Sequence, residues 1–355
     1  MPKDNENVRS LFTEPVEPVE PVGFAADQMI PCDECLRANP PTRINCLYCA
    51  ATLPLTESSA RLRKPSLRLP EKHEQGYNTI ILPNDQMGIK PEVLADVASW
   101  LKLSREDLQR ILSKQEPLPV ARTASEEESK LVHERLTGMG LSVLTLSDDH
   151  LGRIESCVTR IRALRFKGEQ VEVVTSVAGD VAEFNWTDIV AIVPGRLLTK
   201  KVEVKESKSR KDEKEIIDAS QFFVDESVID YYLANSSQTW RICAHSFDFS
   251  CLGTQKTLLA NENIATLQKL IRERAPAAFC DQSFHSLRQT LDPVWGLEQE
   301  TQSKGWRRER PGKYSLGATT VNSNESQFTR YSRLKFYLIN RRDAERTEKI
   351  IGSSG

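Results

Sequence analysis

The chain has 355 residues, 39% of them apolar and 28% charged, with a formal net charge of −2 at pH 7. The length exceeds one typical domain, and the near-neutral charge gives no general attraction to nucleic acid or to an anionic membrane surface. The polar N-terminus predicts no secretory signal, and the absence of a long apolar run predicts no membrane span. We therefore expect a cytoplasmic protein of several domains, whose cysteines are thiols or metal ligands.

Residues 1–28 form an arm rich in proline and glutamate. It contains the repeat Glu14-Pro15-Val16-Glu17-Pro18-Val19-Glu20-Pro21-Val22. Proline at every third position favours an extended path and leaves the arm without a core. We interpret it as a disordered spacer in preference to a docking peptide.

Residues 29–54 contain four cysteines in two Cys-x2-Cys pairs. They are Cys32, Cys35, Cys46 and Cys49. Each pair can present two thiolates to one ion, and four sulfur ligands complete the tetrahedral structural zinc site. No ligand position remains for water, so we predict one structural Zn²⁺ ion without a catalytic role. Disulfides would need an oxidising compartment and an iron site would need redox partners, and the sequence indicates neither.

The same segment resembles bacterial zinc ribbons and the RanBP2-type zinc finger, which share Cys-x2-Cys-x3-Asn-x6-Cys-x2-Cys. Asn39 stands at the asparagine of this pattern, and Pro40-Pro41 follows as in many bacterial ribbons. Ile30 stands where RanBP2-type fingers usually have tryptophan, and Leu36 and Ala50 replace the glycines usual in bacterial ribbons. The resemblance implies a bound metal and a bacterial source, and it identifies no partner.

Residues 55–76 form a predicted linker with a basic composition. Its positive charges are Arg61, Arg63, Lys64, Arg68 and Lys72, and its prolines include Pro65 and Pro70. This composition is typical of a solvated tether, and a strap that contacts phosphates is the alternative.

Residues 77–148 follow the order strand, helix, helix, helix, strand. Strand character at 79–82 precedes apolar residues at helical spacing between Val93 and Leu101. Ser104 and Ser125 are predicted to cap the next two helices, and residues 141–146 return as a strand. These elements predict an α+β unit.

This unit resembles the C-terminal domain of the ribosomal stalk protein L7/L12, a ferredoxin-like α+β domain. The resemblance rests on the element order, on Leu-Lys-Leu-Ser at 101–104, on Pro117, and on Gly-Leu-Ser-Val at 140–143. In that family, basic residues on the first helices contact translation factors. The corresponding face here carries Glu92, Asp96 and Ser99, with Lys90 and Lys102 nearby.

Residues 158–275 change to a strand pattern. Runs of β-branched and aromatic residues, separated by turns, predict about six antiparallel strands. Residues 206–215 are almost all charged or serine, which predicts a solvated loop, and Asn263 begins a predicted amphipathic helix.

These strands and the following helix resemble a pleckstrin-homology-like β-barrel. The resemblance rests on Trp-Thr-Asp-Ile at 186–189 and on the helix at 263–274. Members of that family bind lipid headgroups or peptides. The first hairpin here supplies one lysine, so we do not predict phosphoinositide binding.

Residues 276–350 are predicted to be helical, with a loop around Trp306. Cations alternate with aromatic residues at 306–310 and at 330–335. This pattern fits the solvated face of a helix that packs its apolar side inward, and a nucleic-acid surface is the alternative.

A weaker group of possible metal ligands consists of Cys243, His245 and Cys251, which could share one side of a strand. We interpret them as buried cysteines and a core histidine in preference to a second metal site. The templates Gly-x-Ser-x-Gly and His-Glu-x-x-His do not occur, nor does a glycine-rich phosphate loop.

The sequence thus predicts a multidomain α+β protein that acts as a non-enzymatic protein-interaction or adaptor protein with an unidentified protein partner. A nucleic-acid- or ribosome-associated factor is the second hypothesis. An enzyme with a site in the β domain is the third.

Overall fold

The computed structural model has a mixed α+β architecture. It describes residues 23–65, 67, 75–83, 91–151, 158–175, 180–209, 215–234, 236–310 and 313–352. The chain divides into two compact units, Met1–Lys64 and Pro65–Gly355. The repeat at 14–22 and the cations Arg68, Lys72 and Lys90 lie outside the described residues. Among the described helices, none combines the length and the apolar character that a bilayer crossing requires.

The first unit is a small fold around the cysteines. Strand β1 (Ile30–Pro31) pairs antiparallel with β2 (Ala38–Asn39), and helix α1 (Glu57–Leu62) follows. Ile30 and Leu53 pack with Cys32 and Cys46 in its core.

The end of this unit corrects part of the predicted linker. Thr56 caps α1 by accepting a hydrogen bond from the Ser59 amide. Arg63 is buried and donates to the carbonyl oxygens of Leu53 and Pro54, at 3.3 and 2.9 Å. Residues 57–64 are therefore folded, because the guanidinium satisfies backbone acceptors in place of water.

The second unit begins with an α+β layer. Its elements are β3 (Tyr77–Ile81), α2 (Pro91–Leu101), α3 (Arg105–Ser113), β4 (Leu118–Thr123), α4 (Glu126–Gly138), β5 (Val143–Ser147) and α5 (Asp148–Leu151). The strands form an antiparallel sheet in the order β4-β3-β5. Ser104 and Ser125 cap α3 and α4 as predicted.

Strand β4, which contains Pro119, was not predicted from the sequence. The structure places β4 at the sheet edge. The register also shifts beside Pro119, between Thr79 and Ile80 of β3. An edge strand tolerates a residue that cannot donate a backbone hydrogen bond.

A nine-stranded sheet forms the rest of the second unit. Its strands are β6 (Val158–Lys167), β7 (Gln170–Thr175), β8 (Val181–Asn185), β9 (Ile189–Ser209), β10 (Glu215–Leu233), β11 (Thr239–Cys243), β12 (Phe279–Cys280), β13 (Glu298–Arg310) and β14 (Lys313–Ser323). The order is β13-β14-β9-β10-β11-β6-β7-β8, and β12 adds to β9. The helices are α6 (Ala260–Arg274), α7 (Phe284–Leu291) and α8 (Glu325–Gly352).

This sheet differs from the predicted all-antiparallel barrel in two ways. β11 pairs with β6 and β12 pairs with β9 in parallel. In the part of the chain that the structure describes, the strands at the two ends of the order, β13 and β8, do not pair with each other, so the sheet is open there.

Two segments predicted as loop or helix are strands. Residues 206–209 belong to β9, and β13 and β14 occupy most of 298–323. Between Thr199 and Ser207, β9 pairs with both β10 and β14. Backbone hydrogen bonds on both edges hold these charged residues in a strand.

Two cores stabilise this unit. Helix α6 packs Ile264, Leu267 and Ile271 into one core with β6 and β7. The other core joins the β3-β4-β5 layer to β9, β10, α7 and α8. At its centre, Phe328 of α8 lies directly over Gly195, where a Cβ atom would stand 2.3 Å from the ring.

Candidate metal centre

Two turns of the same kind carry the four cysteines. In each, the amide of the first cysteine donates to the carbonyl five positions on, and the amide four positions on donates back to the first cysteine. The bonds are Cys32 N to Arg37 O at 3.0 Å, Leu36 N to Cys32 O at 2.8 Å, Cys46 N to Ala51 O at 2.7 Å and Ala50 N to Cys46 O at 3.1 Å. The two Cys-x2-Cys segments therefore share one local fold.

Each turn requires a left-handed residue. Leu36 and Ala50 have φ angles of 60° and 61°, a region in which a Cβ atom crowds the backbone. These are the two positions where the sequence lacks the usual glycine. The conformation brings each amide back toward the carbonyl of the first cysteine in its turn.

The four sulfur atoms meet at one point. All four Sγ atoms lie within 4.8 Å of one another, with 3.6 Å between Cys32 and Cys49 and 3.6 Å between Cys35 and Cys46. A tetrahedron with Zn–S bonds of about 2.3 Å has sulfur–sulfur edges of about 3.8 Å. The quartet therefore has the donor set and spacing to hold one metal ion, and in the described residues it is the one such cluster of cysteine, histidine and carboxylate ligands.

The buried side chain of Asn39 makes hydrogen bonds to both cysteine turns. Its side-chain amide donates to Cys46 Sγ at 3.4 Å and to Arg37 O at 2.8 Å, and its carbonyl oxygen accepts from Leu47 N at 2.8 Å. The Tyr48 amide also donates to Cys46 Sγ, at 3.4 Å. The buried asparagine thus ties the two turns together and orients a sulfur ligand.

The environment distinguishes the thiols before any metal binds. Burial opposes ionisation of Cys46, but the amides of Cys49 and Tyr48 and the Asn39 side chain outweigh it and lower the pKa of Cys46 to about 6. For Cys49, the Ala51 amide favours the thiolate, yet burial and the neighbouring sulfurs raise the pKa to about 12. Thiolates this close repel one another, and a bound cation would allow all four to ionise.

Apolar side chains next to the ligand cysteines in the sequence are exposed on the protein surface. Leu36, Leu47 and Tyr48 are 80%, 53% and 56% exposed. The Arg37 guanidinium lies 4.8 Å from the centre of the Tyr48 ring. We call these four residues the knuckle patch. Sequence reasoning used Leu36 only as a missing glycine and passed over the patch, although the pair Leu47-Tyr48 between two metal ligands was a visible signal.

The weaker cysteine–histidine group does not assemble. Cys243 is buried, and burial raises its pKa to about 12, as expected for a core thiol. His245 is exposed, contrary to the predicted core histidine, and its Nδ1 lies 3.7 Å from Glu226. Asp248 caps the short 3-10 helix at Phe249–Gln255 by accepting a hydrogen bond from the Ser250 amide.

The basic and aromatic residues at 330–335 lie inside the protein. The side chains of Arg330 and Lys335 are 15% and 6% exposed, and Arg333 is buried. Neither a solvated helix face nor a nucleic-acid surface describes them. The side chains of 306–310 lie outside the described residues.

A surface cleft of about 560 Å³ lies beside β5. Two histidines line it, and each has a hydroxyl partner: His133 with Thr145 at 3.2 Å, and His150 with Ser147 at 2.8 Å. Neither histidine was singled out from the sequence. The alternation of Thr145 and Ser147 along a strand was the available signal.

The comparisons give no relative from which a role could be carried over. The chain matches no protein-family model, no curated protein and no solved structure.

Proposed function

We propose that this chain is a non-enzymatic adaptor protein whose first unit is a structural zinc module that binds a protein partner through the knuckle patch. The observation that supports this proposal most directly is the position of Leu36, Leu47 and Tyr48. These exposed apolar residues flank the cysteines of a closed four-sulfur cluster.

Zinc is the ion that best suits the quartet. Four sulfur donors at tetrahedral spacing favour zinc or iron, and zinc needs no redox partner. A centre with four protein ligands leaves no position for a water or a substrate. The ion would therefore stabilise the module and would not catalyse a reaction.

A bound metal ion would hold the backbone of the knuckle patch in place before a partner binds. Leu47 and Tyr48 lie between two ligand cysteines, so their backbone loses little further freedom on binding. Aromatic residues and arginine are enriched at protein interfaces. The exposed acids Asp33 and Glu34 stand in the first turn, where they would repel phosphates. These features favour a protein partner over a nucleic acid.

The second unit fits the same proposal as a scaffold. The helices α2 and α3 after β3 and the antiparallel β4-β3-β5 sheet support an L7/L12-like domain, although β4 is absent from the predicted element order. Helix α6, packed on β6 and β7, supports the pleckstrin-homology-like resemblance. In the first hairpin, Lys167 is paired with Glu172 and Glu183, which argues against a phosphoinositide site.

Metal analysis of the purified full chain tests the first half of the proposal. We expect one zinc per chain, loss of most of it in Cys46→Ser, and retention in Cys251→Ser, a cysteine outside the quartet. Iron in place of zinc, or equal metal content in both variants, would contradict it.

Site-specific photocrosslinking in cells tests the second half. A photoreactive residue at Leu47 should give a discrete protein adduct, and this adduct should disappear in the Cys46→Ser background. The same photoreactive residue at exposed Thr137 should give no discrete adduct. A nucleic-acid adduct at Leu47 would favour the second hypothesis, and the absence of any specific adduct would refute the adaptor role.

A further inference from the structure

The outer edge of β10 is uncovered along part of its length. β10 pairs with β9 from Glu215 to Leu233. On the other edge, β11 covers only Val228–Tyr231, and the Ala244 amide reaches Ser227. No described strand pairs with this edge over residues 219–226. Backbone groups that point away from β9 there are open to another strand.

Residues 219–224 of this edge lack the charges that normally protect a sheet edge from pairing. The outer strand β13 carries Glu298 and Glu300, and β8 has five residues including Glu183. By contrast, residues 219–224 read Ala-Ser-Gln-Phe-Phe-Val without a charge. Phe222, Phe223 and Val224 are 53%, 71% and 44% exposed. Native edges are usually short, charged or covered, and an exposed apolar edge favours association.

We propose that residues 219–226 of β10 are a self-association surface, at which a second copy of the chain pairs antiparallel with the same segment across a twofold axis. The inference goes beyond the adaptor function and does not depend on the metal centre. Two copies would form a continuous antiparallel sheet in the order β13-β14-β9-β10-β10-β9-β14-β13.

The charges of the segment suit pairing with itself. A twofold axis perpendicular to the sheet and centred on Phe223 sets Asp225 opposite Gln221 and Glu226 opposite Ser220. No like charges then face each other between 220 and 226. Asp225 is already held by Arg196, at 2.8 and 2.9 Å.

A second copy suits this edge better than a peptide from another protein. Side chains on both faces of 219–224 are exposed or partly exposed, so the described surface offers no pocket there. Peptides that add to a sheet edge gain specificity from pockets for alternate side chains. An identical strand instead brings its own phenylalanines to meet Phe222 and Phe223.

Sedimentation velocity of the full chain over a concentration series tests this inference. We expect a reversible dimer. Phe222→Lys and Phe223→Lys should each weaken dimerisation by roughly tenfold or more, because like charges then meet near the axis. Val181→Lys, which charges an equally exposed residue on β8, should leave the dimer unchanged. Far-ultraviolet circular dichroism checks that the variants fold.

Hydrogen exchange provides the second measurement. Amides of 219–226 should gain protection as the protein concentration rises, in the unmodified chain and not in Phe223→Lys. A chain that stays monomeric at all concentrations overturns the inference. So does a dimer that survives both phenylalanine variants, or one that protects other amides and leaves this segment unchanged.

Discussion

Lys335 and Asp281 form an ion pair inside the second unit, with 2.8 Å between Nζ and Oδ2 and side chains that are 6% and 5% exposed. Lys335 also lies 2.7 Å from Glu116, and Asp281 accepts a hydrogen bond from the Tyr331 hydroxyl. The pair thus links α8 to the segments that precede α7 and β4. Burying an ammonium is costly without such partners, so each group depends on the other.

We predict that removing one member of this pair destabilises the second unit strongly. Lys335→Met leaves the Asp281 carboxylate buried without its ammonium, and the free energy of unfolding should fall by about 3–5 kcal/mol. Urea denaturation would measure it. In the control Lys269→Met, which breaks an exposed pair with Glu273, the change should stay below about 0.5 kcal/mol. The double variant Lys335→Met with Asp281→Leu should be more stable than Lys335→Met alone; if it is not, the pair is not coupled.

The burial of Lys335 and of the other cations at 330–335 could not be predicted from sequence. Lys335 and Glu116 are 219 positions apart, so no local pattern connects them. Residues 330–335 show a basic and aromatic pattern that suits a surface as well as a core. The cysteine quartet is the opposite case, because the spacing within and between two short segments suffices to place four sulfurs together. Residues 206–209 were missed as a strand because their pairing partners, in β10 and β14, are not visible in their own composition.

The second prediction concerns acid stability. Burial alone would raise the pKa of both Asp281 and Glu325. Lys335 outweighs burial at Asp281 and holds the pKa of that carboxyl below its ordinary value. Arg241 and Arg160 do the same for the pKa of Glu325. A carboxyl group with a depressed pKa stabilises the fold above its ordinary pKa, and this contribution is lost as the pH falls toward the folded-state value.

The free energy of unfolding should therefore be steady near neutral pH and fall steeply below about pH 4. Denaturation curves across this range would measure it. Asp281→Asn should lower stability at neutral pH and flatten the acid slope, because one of the titrating groups is gone. A variant slope as steep as that of the unmodified chain would show that Asp281 does not contribute.

The third prediction concerns the two left-handed residues of the metal centre. Leu36→Gly and Ala50→Gly should each stabilise the first unit by about 1 kcal/mol, because glycine adopts these φ angles without the steric penalty. Ala51→Gly, the residue next to Ala50 without a positive φ, should be neutral or destabilising. Resistance of the module to a chelator at a fixed temperature would rank the variants. A lower resistance in Leu36→Gly than in the unmodified chain would contradict the strain argument.

Removal of the metal should affect the two units differently. Chelation should abolish the slow exchange of the Leu36 and Ala50 amides, whose hydrogen bonds belong to the cysteine turns, and of the Leu53 amide, which donates to Ile44 O beside the second turn. Amides of β3, in the separate compact unit, should keep their protection. Hydrogen exchange with and without chelator measures both sets in one experiment. Equal exchange at Leu36 in the two conditions would mean that the quartet folds without an ion.

The last prediction tests the close contact between Gly195 and Phe328. A Cβ atom at position 195 would lie 2.3 Å from the Phe328 ring, well inside contact distance, and both residues lie in or beside a packed core. Gly195→Ala should therefore lower the free energy of unfolding by about 1–3 kcal/mol. Gly138→Ala, with no atom within 4 Å at the end of α4, should be neutral or stabilising. The double variant Gly195→Ala with Phe328→Leu should lose less stability than the two single changes added together, because leucine makes room for the methyl group. If the two losses simply add, the two sites are independent.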